Sequence, residues 1–203
     1  MKPADLVTCL DFPCLDTHRA GYLVPRVEID PEKVTVLLIS EATPANAEDY
    51  YYAGAEALFA KTTLLAFQDA GAMVQSVQDI LAMGVYMTTA VKCGKTGYGI
   101  ATDTIQQCSH LLEKEIALFP KVKVYLLMGD VAIKALNNIA KRNGEPRVVP
   151  AGSTYKIRGG EFSFRGAHAL PSYVQAGPAF FVEKSKRKMI AEDIAKALHL
   201  AGI

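Results

Sequence analysis

Apolar positions along this chain fall in short unbroken blocks separated by segments of helical periodicity. The run Val34–Ser40 (VTVLLIS) is almost wholly β-branched and aliphatic, as expected of a strand covered on both faces in a parallel sheet. Gly84–Val91 (GVYMTTAV) and Val122–Met128 (VKVYLLM) repeat the pattern. Residues 53–70, 102–118 and 131–142 read as helices between and after these strands, and a last helix is expected over 181–200. Alternation at this spacing predicts an α/β fold, a three-layer αβα arrangement around a central, mostly parallel sheet. Residues 143–166 change character, with Gly144, Pro146, Pro150 and Gly152. There Tyr155–Arg158 and Glu161–Phe164 predict a hairpin turning at Gly159-Gly160.

Length and composition narrow this picture. A chain of 203 residues, half of them apolar, is expected to form one domain over 1–203 with one substantial core, and neither repeats nor an interdomain linker are visible. No uncharged apolar stretch of about 18 residues exists, and residues 1–8 lack the apolar core of a signal peptide, so a soluble cytoplasmic protein without membrane association is expected. In that reducing compartment Cys9, Cys14, Cys93 and Cys108 read as ligands of a metal or an iron–sulfur group rather than as disulfides. The net charge of +1 argues against a generic nucleic-acid binder. The distribution is uneven, however. Residues 1–100 carry 7 Lys/Arg against 12 Asp/Glu, and residues 101–203 carry 15 against 9, so one face is a candidate to attract phosphates.

In open parallel sheets, ligands sit outside the carboxyl ends of the strands. The segments to inspect are therefore Glu41–Tyr52, Lys92–Ala101, Gly129-Asp130 and the stretch around Leu170-Pro171-Ser172. Taken in order, Ile39–Asp49 (ISEATPANAED), Tyr86–Cys93 (YMTTAVKC), Leu126–Leu136 (LLMGDVAIKAL) and Leu170–Val174 (LPSYV) resemble the uracil-DNA glycosylase superfamily, in particular its iron–sulfur branch. The most specific match is Ala90-Val91-Lys92-Cys93 followed by Cys108.

The resemblance implies the fold of that family, a DNA partner that is single-stranded or damaged, and hydrolysis of a base N-glycosidic bond in base excision repair. It also implies a four-iron four-sulfur cluster on Cys9, Cys14, Cys93 and Cys108, tying an N-terminal extension, residues 1–33, to the sheet. The later pair, with fourteen residues between its members, matches the family, whereas Cys9 and Cys14, with four between, are more widely spaced than is usual there. A tetrahedral zinc site on the same thiolates and four unrelated buried cysteines stay open. A monomer is the default expectation.

Hydrolysis of this kind needs a base taken out of the stack, a pocket that reads it and a group that places water. By resemblance Glu41 matches the Glu of the first motif, and Glu48 and Asp49 match its later acidic pair, which also reads as a helix cap. Tyr51 and Tyr52, in the run Tyr50–Tyr52, are candidates to stack on a flipped base or to pack on the sheet. Thr89 stands where the family has a base-reading Asn, and one hydroxyl cannot replace the paired donor and acceptor of an amide. Leu170 stands where the family has a His that stabilises the leaving base, with His168 two residues earlier the only imidazole nearby. Ser40 and Thr43-Pro44-Ala45 replace glycines and proline of the first motif, which predicts a reshaped pocket. Candidates for DNA contact are Lys92, Lys95, Arg165, the run Lys184–Lys188, Gly129 through its backbone, and by resemblance Ser172 and Tyr173. Three functions follow: a DNA glycosylase of unassigned base preference, a catalytically impaired nucleic-acid or nucleobase-binding protein on the same scaffold, or an enzyme acting on free nucleosides or nucleotides.

Overall fold

The computed structural model describes residues 1–97 and 99–203, so the segment Lys92–Ala101 is described except for Tyr98. In chain order the strands are β1 (Thr17–His18), β2 (Val36–Ala42), β3 (Val85–Val91), β4 (Gly94–Lys95), β5 (Val124–Met128), β6 (Phe162–Phe164) and β7 (Ala167–Ser172). The helices are α1 (Leu58–Asp69), α2 (Val77–Ala82), α3 (Thr102–Ile116), α4 (Asp130–Arg142), α5 (Thr154–Ile157), α6 (Ala179–Val182) and α7 (Lys184–Ala201).

The main sheet has the order β3-β2-β5-β7-β6, parallel except for β6 at one edge, which pairs antiparallel with β7. Its strands are continuous apolar runs because both faces are covered. On β2, Leu37 and Ile39 enter a core with α3 and α4, while Val36 and Leu38 enter a second core with α1, α2 and α7. This is the three-layer αβα arrangement expected from the sequence. No helix among the described residues is long and apolar enough to cross a membrane.

The N-terminal segment is laid across the first core. β1 pairs with β4, the Leu23 amide donates to the Lys92 carbonyl at 2.7 Å, and the Met1 ammonium donates to the Ile29 carbonyl at 2.7 Å. β3 is an edge strand of the main sheet, and the Tyr52 hydroxyl covers part of it. That hydroxyl accepts from the Met87 amide at 3.0 Å and donates to the Met87 carbonyl at 3.1 Å.

Three local expectations are corrected. The hairpin does not turn at Gly159-Gly160: residues 154–157 form the helical turn α5, and the hairpin is β6–β7, turning at Arg165-Gly166. Those two residues have φ of 49° and 82°, the paired positive values of a type I′ turn, whereas Gly159 and Gly160 adopt no positive φ. Second, the stretch around Leu170-Pro171-Ser172, expected beyond the carboxyl ends of the strands, lies within the strand β7, with Pro171 opposite Leu127 of β5. A proline argues against a strand interior, and it is tolerated here because the β6 pairing ends at Ala169, so no strand stands on the side that its missing amide would face. Third, α1 begins at Leu58 rather than residue 53, α2 was not anticipated, and the last helix begins at Lys184 after the separate turn α6.

Candidate active site and cysteine centre

The carboxyl ends of β2, β5 and β7 converge on Glu41, Gly129 and Ser172. Glu41 extends from β2 towards the first turn of α4, and Gly129 allows it to do so. A Cβ at position 129 would stand 2.6 Å from Glu41 Oε1 and 2.5 Å from Val174 Cγ2, and the backbone there has φ +104°. Burial raises the Glu41 carboxyl above its ordinary range, opposed by the Val131 and Asp130 amides and by Lys95, and Asp130 adds to the rise. A half-buried carboxylate at the mouth of the sheet, beside a helix N-terminus, can hold a water and accept its proton.

The other two acidic candidates separate from it. Glu48 is exposed in a single 3-10 turn, Ala47–Asp49, and Asp49 Oδ1 accepts from the Leu58 amide at 3.4 Å, at the start of α1. Asp49 thus reaches the first amide of α1 from nine residues away, and the N-cap position itself is Ala57.

On the other face of β2, next to Glu41 in sequence, lies a buried polar network that was not anticipated. Ser40 Oγ lies 2.5 Å from the Tyr51 hydroxyl and donates to Gln175 Oε1 at 3.2 Å; Gln175 Nε2 donates to Tyr51 Oη at 3.1 Å and to Thr63 Oγ1 at 3.3 Å. Ser40, Tyr51, Thr63 and Gln175 are all essentially without solvent exposure. The period of two on β2 places Ser40 on the face of Leu38, but nothing in the sequence marks Gln175. Thr89 pairs with Ser40 across β2–β3, fully buried, with a hydroxyl that has no partner among the described residues.

Several sequence candidates move away from this site. Tyr51 is enclosed in the Ser40–Gln175 network and Tyr52 is bound to the edge of β3, so the tyrosine run packs on the sheet, its rings 5.2–6.3 Å apart, instead of offering a face to a base. Leu170 is a core residue of β7, 3% exposed, because its strand neighbours bury it against α7. His168 is exposed opposite Val124, at the amino end of β7, roughly 13 Å from Ser172 at 3.3 Å per residue, so it cannot replace the missing imidazole. Arg165 sits in the β6–β7 turn at that same far end and is paired with Glu113 and Glu145 at 2.8 and 2.9 Å. Lys92 is 0% exposed and ion-paired with Glu115, which removes it from any DNA surface. The Gly129 amide donates to the Ser172 carbonyl at 3.0 Å and is not free for a phosphate. Ser172 is buried, and its hydroxyl donates to Asp193 of α7 at 2.6 Å. Asp193 in turn accepts from Arg158 at 2.8 and 3.1 Å.

Tyr173 does remain at the surface near the site, with Lys186 Nζ 5.4 Å from its ring centroid. Beyond it, Phe181 and Val182 are exposed at 48% and 79%, separated by Glu183 from Lys184–Lys188. Neither apolar residue was singled out from the sequence, where they read as the start of a helix.

The four cysteines come together. Cys9, Cys14, Cys93 and Cys108 line one small cavity with Phe12, Thr17, Arg19 and Leu111. Burial pushes the Cys93 thiol up to about 12, the other three cysteines adding to the effect. Burial likewise raises Cys108 to about 11, against the pull of Lys92. Four sulfurs that disfavour one another's charge fit a cationic group at their centre. Among the described residues no three His, Cys, Asp or Glu side chains stand at the spacing of a single bound ion.

A sequence profile of the uracil DNA glycosylase superfamily matches residues 27–194, and with the parallel sheet and the carboxylate at its mouth this shows that the chain belongs to that superfamily. Among curated proteins it is similar to a type-5 uracil-DNA glycosylase of Thermus thermophilus, at 27% identity over 125 residues, or 62% of this chain. The match spans about half, 54%, of that relative's length.

Proposed function

We propose that this protein is a DNA glycosylase that hydrolyses the N-glycosidic bond of a base in DNA, with Glu41 as the group that places water. The observation that carries the reading is Glu41 itself, half-buried against Gly129 and the first turn of α4 at the carboxyl end of β2. In the reaction, water adds to the sugar C1′ and gives a proton to the Glu41 carboxylate. The bond to the base breaks with its electron pair leaving on the base, which solvent protonates. The products are an abasic site and a free base.

The DNA-facing surface in this reading is the segment after β7. Phe181 and Val182 would serve as an apolar wedge at an unstacked step, and Tyr173, Lys184, Lys186 and Lys188 would face the phosphates. Base preference follows from what the pocket lacks. Neither Thr89 nor Gln175 presents an amide to a base: Thr89 carries only a buried hydroxyl, and Gln175, on the opposite face of β2 from Glu41, spends its amide on Ser40, Tyr51 and Thr63. That satisfied amide is also the observation favouring the second reading, a binding protein of the same surface without efficient catalysis.

The cysteines would hold a four-iron four-sulfur cluster, supported by the single cavity they share. Bound there, the cluster supplies a covalent cross-link between residues 9–14 and the segments at 93 and 108, a structural and not a chemical contribution.

The test is a panel of single- and double-stranded oligonucleotides carrying uracil, hypoxanthine, xanthine or a thymine mismatch, with strand scission at abasic sites scored for the native protein and for Glu41→Gln. Cleavage of at least one substrate by the native protein, lost in the variant, is expected. Salt-sensitive binding without cleavage of any substrate would transfer the assignment to the binding protein.

A further inference from the structure

Lys92 is the residue of Ala90-Val91-Lys92-Cys93 for which glycosylase chemistry has no use, yet all of its polar groups are engaged. Its side chain is 0% exposed and pairs with Glu115, itself 1% exposed. The ammonium also donates to Thr88 Oγ1 at 2.8 Å and to the Thr89 carbonyl at 2.5 Å, so its three donors have three acceptors. Glu115 is satisfied from the other side, accepting from the Tyr86 hydroxyl at 2.5 Å and from Thr88 Oγ1 at 3.0 Å. The backbone is engaged as well: the Lys92 amide donates to Cys108 Sγ at 3.3 Å, and its carbonyl accepts from the Leu23 amide at 2.7 Å.

The spacing on α3 gives these contacts a common purpose. Cys108 and Glu115 are seven residues apart, two helical turns, so they share one face and stand about 10 Å apart along the axis. One residue grips both: its amide holds Cys108 and its ammonium holds Glu115. A helix fixed at two points two turns apart can neither rotate nor slide relative to the peptide that carries Cys93. Through Leu23 the same residue holds the N-terminal segment that brings Cys9 and Cys14.

We propose that Lys92 is a positioning residue of the cysteine centre, setting the mutual register of the three segments that carry its sulfurs; this rests on the reading of those cysteines as one site. A directional ion pair does this better than an apolar contact would. Buried pairs add little net stability over well-packed apolar residues, and their best-attested use is to fix one arrangement among several of similar compactness. The Lys92 N–H⋯S bond also stabilises negative charge on Cys108, which favours the sulfur as a ligand.

The test compares native protein with Lys92→Met/Glu115→Leu, which removes both charges together so that neither is left buried and alone, and with Ile194→Val, which trims the opposite core. Purified without air, the double variant should carry at least threefold less iron and sulfide per chain. Its remaining visible absorption should bleach at least tenfold faster with chelator. Ile194→Val should match native protein in both, whatever its melting temperature. Equal iron content and bleaching in the native protein and the double variant would overturn the proposal. If native protein binds no iron at all, the cluster reading fails, and Lys92 is judged on thiols: in metal-free protein, alkylation of Cys93 and Cys108 should be at least tenfold faster in the double variant. Unchanged alkylation there would overturn the positioning role independently of any metal.

Discussion

Replacing Gly129 by alanine tests whether Glu41 is held where the site needs it. The residue has φ +104° and ψ 168°, a region essentially restricted to glycine, so any Cβ there costs about 1–3 kcal/mol in backbone strain. The added methyl would also meet Val174 Cγ2 at 2.5 Å, Glu41 Oε1 at 2.6 Å and Glu41 Cγ at 2.8 Å, overpacking worth a further 1–3 kcal/mol or so. Gly177→Ala separates the two costs, because Gly177 has a similar φ of +109° with nothing within 4 Å of the added atom. At about 3 °C per kcal/mol for a chain of this length, Gly129→Ala should melt roughly 3–9 °C below Gly177→Ala by circular dichroism or calorimetry. Relief of the clash moves Glu41 or Val174, so cleavage should fall by at least about tenfold if Glu41 is displaced by a fraction of an ångström. A Gly129→Ala protein melting no lower than Gly177→Ala would refute the close packing of Glu41 on this turn, and with it the placement of the carboxylate.

The Glu41 carboxyl should leave its mark on pH dependence. Because burial raises its pKa, activity should switch on at a higher pH than for an ordinary carboxylate, and Glu41→Gln should remove that acid limb together with at least about 99% of the rate. The stability sign is the opposite. A raised folded pKa favours the folded state fully below the unfolded value, and that contribution is lost as pH rises through the folded one, so native protein should lose ground to Glu41→Gln between acid and neutral pH in urea titrations. Tyr52→Phe leaves both Met87 backbone groups without their partner at the β3 edge and should cost about 2 kcal/mol, or some 4–8 °C in melting temperature. Combined Phe181→Ala and Val182→Ala should weaken DNA binding at least about fivefold with no change in the salt slope. Combined Lys184→Ala and Lys188→Ala should instead flatten that slope, as measured by fluorescence anisotropy at several salt concentrations.

The sheet was legible because burial on both faces leaves an uninterrupted apolar signature in β2, β3 and β5. β7 was not, since His168 and Pro171 interrupt the signature and only its pairing with β5 and β6 decides the matter. Glu41 could be placed from the sequence because it stands at the carboxyl end of a strand, where open α/β sheets keep their ligands. Lys92 follows a strand too, and there the same rule misleads. An ammonium looks exposed in any linear reading, and only Glu115, 23 positions later, shows that it is buried. Gln175 escaped for a similar reason: its bonds to Ser40, Tyr51 and Thr63 span 135, 124 and 112 positions, and no local pattern encodes contacts of that range.

Consecutive residues of β2 serve two compartments, Ser40 facing Tyr51 and Gln175 while Glu41 faces Gly129 and α4. Inserting or deleting one residue in this strand would exchange them, sending the carboxylate into the sealed network and the hydroxyl to the mouth of the site. Length variation within β2 is therefore not tolerable, and any attempt to retune the pocket by redesign has to treat Ser40 and Glu41 as a linked pair whose order along the chain is fixed.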